Sequence, residues 1–538
     1  MSRESAAEAA EAIAQGRTAL GIELGSTRIK ACLVSADDPG RVLAVGGHAW
    51  ENRYEDRVWT YALPDVWNGV QAAFADLAAD VRRRHGVPLD RVGTIGVSAM
   101  MHGYLAFDER GDLLVPFRTW RNTTTADASA ELSGLFGVNI PLRWSIAHLH
   151  QAVLDGEEHV PHVRSITTLA GYVHRALTGR NVLGVGDASG MFPIDPATGD
   201  YDNELIARYD RLAADRLPVA GVRDLLPQVL TAGEPAGELT ADGARLLDPT
   251  GALSPGIRFC PPEGDAGTGM IATDSVAPRT GNVSAGTSIF AMVVLERSLR
   301  ASHHEIDVVT TPAGDPVAMV HCNNGASELA AWAGLFGRFA EASGHPVTDD
   351  DVFDTLFREA LAGAPDAGGV VAYNHLAGEP VAGLTEGRPL VVRSPDSSFT
   401  LANVMRAQLY GAFGTLALGM RVLDDEGVEI ERMYAHGGMF RTAGVAQRFL
   451  AAALDAPVSV GETASEGGAW GMAVLAAYAH AVAGDEASDL FSFLSERVFA
   501  SAALSTVDPD SGDVAGFAAY LDRYRAGLAV EAAAVSAL

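Results

Sequence analysis

A strand, a tight Gly-Ser/Thr turn and a second strand occur twice in this chain, about 260 residues apart. Leu20-Gly21-Ile22-Glu23-Leu24 runs into Gly25-Ser26-Thr27 and leaves through Ile29, Lys30, Ala31, Cys32, Leu33 and Val34. Gly281-Asn282-Val283-Ser284-Ala285 runs into Gly286-Thr287-Ser288 and leaves through Ile289 to Val294. Apolar runs flanking such a turn predict a β-hairpin. The turn glycine is expected to take a positive φ and let a ligand approach the backbone, with the neighbouring hydroxyls as extra donors. One such loop says little. Two predict related lobes that grip one polyphosphate from opposite sides.

The bulk of the chain allows this and removes several rivals. At 538 residues and 48% hydrophobic content it is too long for a single core and should divide into at least two domains. No apolar run reaches membrane-spanning length, since Gly, Asp or Arg interrupts every long stretch. Glu4, Glu8 and Glu11 stand where a signal peptide needs a basic and then an apolar region. Residues 1 to about 16 read instead as a short amphipathic or frayed helix. Cys32, Cys260 and Cys322 are too few and scattered for a disulfide framework or a zinc site, so the expected compartment is the cytoplasm.

A net charge of −29 argues against nucleic-acid and anionic-membrane partners, which need a basic footprint. It leaves room for a nucleotide held by backbone N–H groups and a local cation. Lys30 is the only lysine in the chain. It follows Ile29 rather than a glycine, which rules out a Walker A loop, and its setting is not that of a protein-kinase lysine. ATP chemistry here requires another fold.

The first half alternates strands with helices. A third strand is expected over Val42 to His48, a helix from Pro64-Asp65 carrying Val66, Val70, Phe74, Leu77 and Val81, and a buried strand over Val92 to Val97. That strand delivers Ser98-Ala99-Met100-Met101-His102-Gly103, and a further hairpin is expected over residues 104–115. The second half repeats the plan, with a strand near 317–321, helices from Ser327 and from about Phe399 to Leu423, and a strand from Arg432 that ends in His436-Gly437-Gly438. The boundary is expected within residues 272–280, giving a leader over 1–16, one domain over 17–278 and a second over 279–538.

Five segments, in this order, resemble the FGGY carbohydrate kinases. They are Gly21 to Lys30; Ser98 to Gly103, similar to that family's S-G-Q-M-H-G; Asp187-Ala188-Ser189-Gly190-Met191, similar to D-A-S-G-T; Gly264-Asp265-Ala266-Gly267-Thr268-Gly269 followed by Gly286-Thr287-Ser288; and Gly437-Gly438 with Gly467, Gly468 and Gly471 downstream. The resemblance spans about residues 18 to 480. It implies an α/β, two-domain actin/Hsp70-like ATPase (ribonuclease H-like) fold with a deep interdomain cleft. The first domain would be the sugar-binding lobe and the second the nucleotide-binding lobe.

The resemblance also assigns roles. Asp265 becomes the catalytic base, accepting the proton of a sugar hydroxyl as it attacks the γ-phosphoryl group; the alternative is a helix N-cap. Glu23 stands where the family usually has Asp and is assigned to hydrated Mg²⁺, the alternative being a strand-end carboxylate paired with Arg28 or Lys30. Gly25, Ser26, Thr27, Gly286, Thr287 and Ser288 are assigned to the phosphates, and Lys30 either to the phosphates or to a plain strand cation. Met101, His102, Gly103, Trp120 and Asn122 are assigned with Asp265 to the sugar. Trp120-Arg121-Asn122 departs from the W-N-D of related kinases, which opens the question of the acceptor. Asp187 and Ser189 read as architectural. Gly437, Gly438 and Gly467, with Glu466 and Gly468, are assigned to adenine, and His436 replaces a frequent glycine.

The expected activity is ATP-dependent phosphorylation of a ketopentose, L-ribulose or D-xylulose, feeding pentose catabolism, with ATP and Mg²⁺ as cofactors. Glycerol, gluconate or a deoxyhexulose are further acceptors to weigh. Domain closure would align the groups and exclude water. The reading from a different class is an ATP-binding regulator without turnover on the same fold. Exposed sheet edges admit a homodimer.

Overall fold

In the computed structural model, residues 3–214, 216–461, 467–487, 489–500 and 502–537 are described. Both duplicated phrases form the antiparallel hairpins that their patterning predicts. Thr18–Leu24 pairs with Arg28–Ser35, setting Glu23 opposite Lys30, and Thr280–Ala285 pairs with Ile289–Val294, setting Ser284 opposite Phe290. In each case a parallel strand lies beside the hairpin's first strand. Thr94–Ala99 places Ser98 level with Glu23, and Arg432–His436 places His436 level with Ser284. The repeat therefore extends beyond the turn to a three-strand unit whose loops emerge at one end of the sheet. Ligands bind at that end in open α/β sheets.

The chain divides into two compact units, each with its own apolar core. The first comprises Met1–Val276, Val308–Val317 and Ser465–Ala502, and the second Ala277–Asp307, Ala318–Ala464 and Ala503–Leu538. The break at 276 falls within the expected 272–280, but the units are not the two contiguous halves the sequence suggested. The helix Gly467–Ala483 packs in the first unit, and glycines explain why. A Cβ on Gly21 would come within 2.2 Å of the Ala469 carbonyl oxygen, and one on Gly471 within 2.1 Å of that of Thr268. Side-chain-free positions on both partners let this helix lie directly on the first strand and on the helix Asp265–Ala272.

The first sheet runs Arg258–Phe259, Thr94–Ala99, Thr18–Leu24, Arg28–Ser35, Val42–Ala49, with Glu263–Gly264 pairing beside Ser98 and Ala99. Leu63–His85 covers it, with Pro64 in the first turn and Gly86 at φ +72° closing the last. Val66, Val70, Phe74, Leu77 and Val81 are buried along one stripe, each contributing about 1.5–3 kcal/mol on transfer from water. The leader is helical over Arg3–Gln15 and buries Ala9, Ala12 and Ile13. Over 104–115 the expected hairpin is short: an antiparallel bridge joins Phe107 to Leu113, the Asp108 N–H donates to the Asp112 carbonyl at 3.1 Å and the Leu114 N–H to that of Ala106 at 2.9 Å, and Leu105–Phe107 pairs as well with Ser165–Thr167.

Among the described residues the second sheet has seven strands, with the hairpin and Arg432–His436 at its centre. Its main helix, Leu401–Glu426, is N-capped by Thr400 and ends at Gly427, φ +73°. That helix is buried almost all round because the closing helix Ser511–Ala537 packs Phe517, Tyr520, Leu521 and Tyr524 against the same core. No helix among the described residues is long and apolar enough to cross a membrane.

Candidate active site

In the first unit the opening loop is held from behind. The Trp50 indole N–H donates to the Gly25 carbonyl at 2.7 Å and the Tyr61 hydroxyl to that of Ser26 at 2.6 Å, with the two rings stacked 4.2 Å apart. Ser26 and Thr27 are left facing solvent. The loop glycines do not act as expected: neither Gly25 nor Gly286 takes a positive φ. Gly25 is needed for close approach instead, since a Cβ there would stand 3.0 Å from the Arg28 carbonyl oxygen that its own N–H bonds.

Glu23 leaves the first strand toward the start of the helix Gly467–Ala483. Its Oε2 accepts the Ala469 N–H at 3.2 Å, and a Cβ on Gly468 would fall 2.3 Å from Oε1. A carboxylate at a helix N-terminus is favoured by the exposed N–H groups. Burial nevertheless pushes its pKa up to about 7, the Lys30 ammonium opposing that rise and Asp265 adding to it. Gly467 lies here, where a Cβ would come within 3.9 Å of the Lys30 ammonium, and its helix belongs to the first unit. Glu466 lies outside the described residues.

Asp265 opens the helix Asp265–Ala272, and its Oδ1 accepts the Met101 N–H at 3.0 Å. The same carboxylate therefore ties down the second motif. Crowding by protein pushes its pKa upward, the N–H groups of Met101, Ala266 and its own residue opposing; solvent still reaches the side chain and screens that push. His102 holds φ +72°, a left-handed conformation rare for a side-chain-bearing residue, and Gly103 follows at φ +99°. The His102 ring stacks on Trp144, and its Nδ1 is 3.4 Å from the Gly190 carbonyl oxygen. Gly190 must lack a side chain, because a Cβ would meet that nitrogen at 2.6 Å. The third motif thus makes room for the second. Its Ser189 accepts the Thr310 N–H and donates to the Gly186 carbonyl, a framework role.

Asn122 departs from its expected role. Its carboxamide is committed to backbone: Oδ1 accepts the Trp59 N–H at 2.9 Å, and Nδ2 donates to the carbonyls of Trp59 at 2.9 Å and Thr119 at 3.0 Å. Arg121 stacks over Trp59 and Trp120 next to it. Asn122→Asp keeps one acceptor and sets a buried carboxylate against two carbonyl oxygens. We expect a loss of about 2–4 kcal/mol in chemical unfolding, whereas unchanged stability would return Asn122 to the role of a free ligand group.

The second unit contains a cavity of about 700 Å³ lined in part by Thr287, Ser327, Phe353, Phe357, Gly438 and Thr442. Gly437 has φ +113°, and a Cβ there would strike the Ala285 carbonyl oxygen at 2.2 Å, so only glycine fits. His436 sits just before it, its pKa lowered by burial. The loop Gly286-Thr287-Ser288 is pinned by the N–H of Gly325 on Thr287 O at 2.7 Å and of Ala326 on Gly286 O at 2.8 Å. Sequence reasoning missed the phenylalanines of the helix Asp349–Ala360, which bear no motif. It also missed Trp50, Tyr61 and Glu263, of which only Glu263 adjoins a recognised segment.

Residues 18–251 match the N-terminal domain of the FGGY family of carbohydrate kinases, and residues 281–480 match its C-terminal domain. The chain belongs to the FGGY family. A xylulose kinase of Klebsiella pneumoniae is 24% identical over 266 residues, which cover 47% of this chain and 50% of that enzyme, so the chain spans half the length of this curated relative. Among solved structures, a xylulose kinase of Rhodospirillum rubrum superposes with a TM-score of 0.75 at 20% identity, over 96% of this chain and 99% of the other. A gluconate kinase of Lactobacillus acidophilus gives 0.76 at 15% identity, over 96% and 99%. These two show the fold alone, a mixed α/β architecture consistent with the actin/Hsp70-like fold.

Proposed function

We propose that this FGGY chain transfers the γ-phosphoryl group of ATP to a hydroxyl of an open-chain sugar, with a ketopentose, L-ribulose or D-xylulose, as the acceptor. The observation that carries this is Asp265: a carboxylate open to solvent, fixed by the Met101 N–H, at the end of the sheet where Ser26 and Thr27 are also presented. A base so placed accepts the hydroxyl proton as oxygen attacks phosphorus, and the remainder of catalysis is positioning and charge stabilisation. His102 and Gly103 would hold the sugar. The cavity by Thr287 and Gly438 would hold the nucleoside, with Phe353 and Phe357 as its apolar wall. The xylulose kinase relative supports the ketopentose; the gluconate kinase likeness makes a sugar acid the next acceptor to test.

The residues fit Mg²⁺. Among the described residues no cluster of three or more ligating side chains exists, which suits an ion held by one carboxylate, waters and substrate phosphates rather than by a protein cage. Glu23 would hold it, in the space that a side chain at Gly468 would fill. When bound, the ion neutralises charge on the transferring phosphates. Lys30 keeps Glu23 company from the paired strand, and Ser284 and Phe290 show that the second hairpin lacks this charged pair.

ADP release measured with a panel of ketoses, polyols and aldonates tests the reading. Stimulation by one ketopentose is expected, while ATPase without sugar dependence, or none, points to the regulator. Because Lys30 is the sole lysine, an amine-reactive ATP analogue reports on its place directly. Labelling of Lys30, read by peptide mass spectrometry, should fall about tenfold with MgATP at ten times its Kd. Labelling indifferent to MgATP would leave Lys30 a plain strand cation.

A further inference from the structure

Directly behind Asp265 lies a second carboxyl group that the mechanism does not use. Glu263 is 1% exposed on the short strand that pairs with Ser98 and Ala99, two residues before the base. Its Oε2 accepts the N–H of Asp187 at 3.0 Å, and Asp187, 0% exposed, accepts the Thr168 hydroxyl at 2.6 Å. Oε1 of Glu263 and Oδ1 of Asp187 have no hydrogen-bond partner among the described residues. The backbone is shaped around this group: a Cβ on Gly184 would stand 2.1 Å from Oε1 and one on Gly186 2.4 Å from Oε2.

Among the described residues no cation acts on the pair. Among the described residues four elements make the main contacts with the Glu263 strand. The helix Val185–Ala188 brings Asp187, the helix Asp265–Ala272 brings Asp265, and the strand Thr94–Ala99 brings only Ser98. The helix Leu169–Thr178 turns its ionisable groups elsewhere: Tyr172 to Trp67, His174 to the Ala236 carbonyl and Arg175 to Ser165. Cys260 adds a buried thiol from the same segment. Two buried carboxyl groups without a cation do not both ionise.

We propose that Glu263, as a neutral carboxylic acid, is the positioning residue that sets the strand–helix junction from which Asp265 reaches the acceptor hydroxyl. This rests on the kinase reading. Burial, and then the charge of Asp187, pushes the Glu263 pKa up to about 8, and burial pushes that of Asp187 to about 7. Both folded values exceed the unfolded ones, so the fold binds protons that the unfolded chain has released. Stability is therefore greatest below the unfolded values near 4, declines as pH rises toward 8 and is flat above.

The test compares wild type, Glu263→Gln and Glu263→Ala by kcat against pH from 6 to 10, and by thermal unfolding against pH without substrate. Wild-type kcat should decline above pH 8. Glu263→Gln, which keeps shape and neutrality, should hold kcat within about threefold at pH 7, lose that decline and flatten the fall in Tm between pH 5 and 8. Glu263→Ala should lower kcat about 10²-fold with an unchanged KM for ATP, the size expected when a catalytic group is displaced by an ångström. The proposal is overturned if Glu263→Gln keeps both the alkaline decline and the wild-type slope of Tm, or if Glu263→Ala turns over like wild type. Should Glu263→Ala not fold, the Gln variant decides alone. A wild-type protein inactive on every sugar is the distinct failure of the kinase reading, seen before any variant is made.

Discussion

Asp265→Asn should bind ATP and sugar within about threefold of wild type and lose turnover by about 10²–10⁴-fold, the range that a positioned general base contributes. The substitution keeps the oxygen that accepts the Met101 N–H, so the loop carrying His102 and Gly103 should stay in place. What disappears is the group able to take the hydroxyl proton. A loss in kcat with little change in either KM is the signature of an interaction made only in the transition state. The N-cap of this helix is Gly264, not Asp265, so the alternative is a purely structural role in its first turn; that role gives the opposite result, since Asn keeps the Met101 bond and turnover would persist. Rapid-quench kinetics separates the two.

The second large effect comes from packing. Gly471→Ala should impair the enzyme far more than its single methyl group suggests, because the new Cβ would meet the Thr268 carbonyl oxygen at 2.1 Å. Two helix backbones face each other there, and neither can yield by rotating a side chain. Overpacking of this kind costs about 3 kcal/mol, against about 1 kcal/mol gained from replacing glycine within a helix, so the clash wins. The helix that must give way is the one that Asp265 begins, and a shift of about an ångström there should cost about 10²-fold in turnover. Gly334→Ala supplies the control: it lies within Ser327–Ala342 with nothing inside 4 Å, and should gain about 0.5–1 kcal/mol. If Gly471→Ala behaves like Gly334→Ala in calorimetry and turnover, the close packing of the first unit is wrong.

Much of this was legible in residue order. Apolar runs around Gly-Ser/Thr announced both hairpins, and Pro64 with its spaced Val, Phe and Leu announced the helix Leu63–His85. Motifs placed Asp265 next to the Met101 segment because each stands at the end of a strand in the same sheet. The sequence did not disclose contacts made by residues far apart along the chain. Gly471 reads only as the last glycine of a family motif until Thr268 is seen against it, and nothing near Gly467 announces that its helix lies on the first strand. Asn122 looked like a displaced ligand because the backbone it satisfies, at Trp59, is more than sixty positions away. Glu263 carried no signal of burial: a charged residue after two prolines and before a glycine reads as a surface loop. Hairpins and caps are local and declare themselves; partners of buried polar groups are set by topology.

The most direct test follows the phosphoryl group itself. Wild-type protein incubated with Mg²⁺, ATP labelled at the γ-phosphorus and each of L-ribulose, D-xylulose and gluconate should move label onto one sugar as a stable phosphate ester, with ADP formed in equal amount. Label recovered only as inorganic phosphate, or left on ATP with all acceptors, would contradict the assignment of this chain as a sugar kinase.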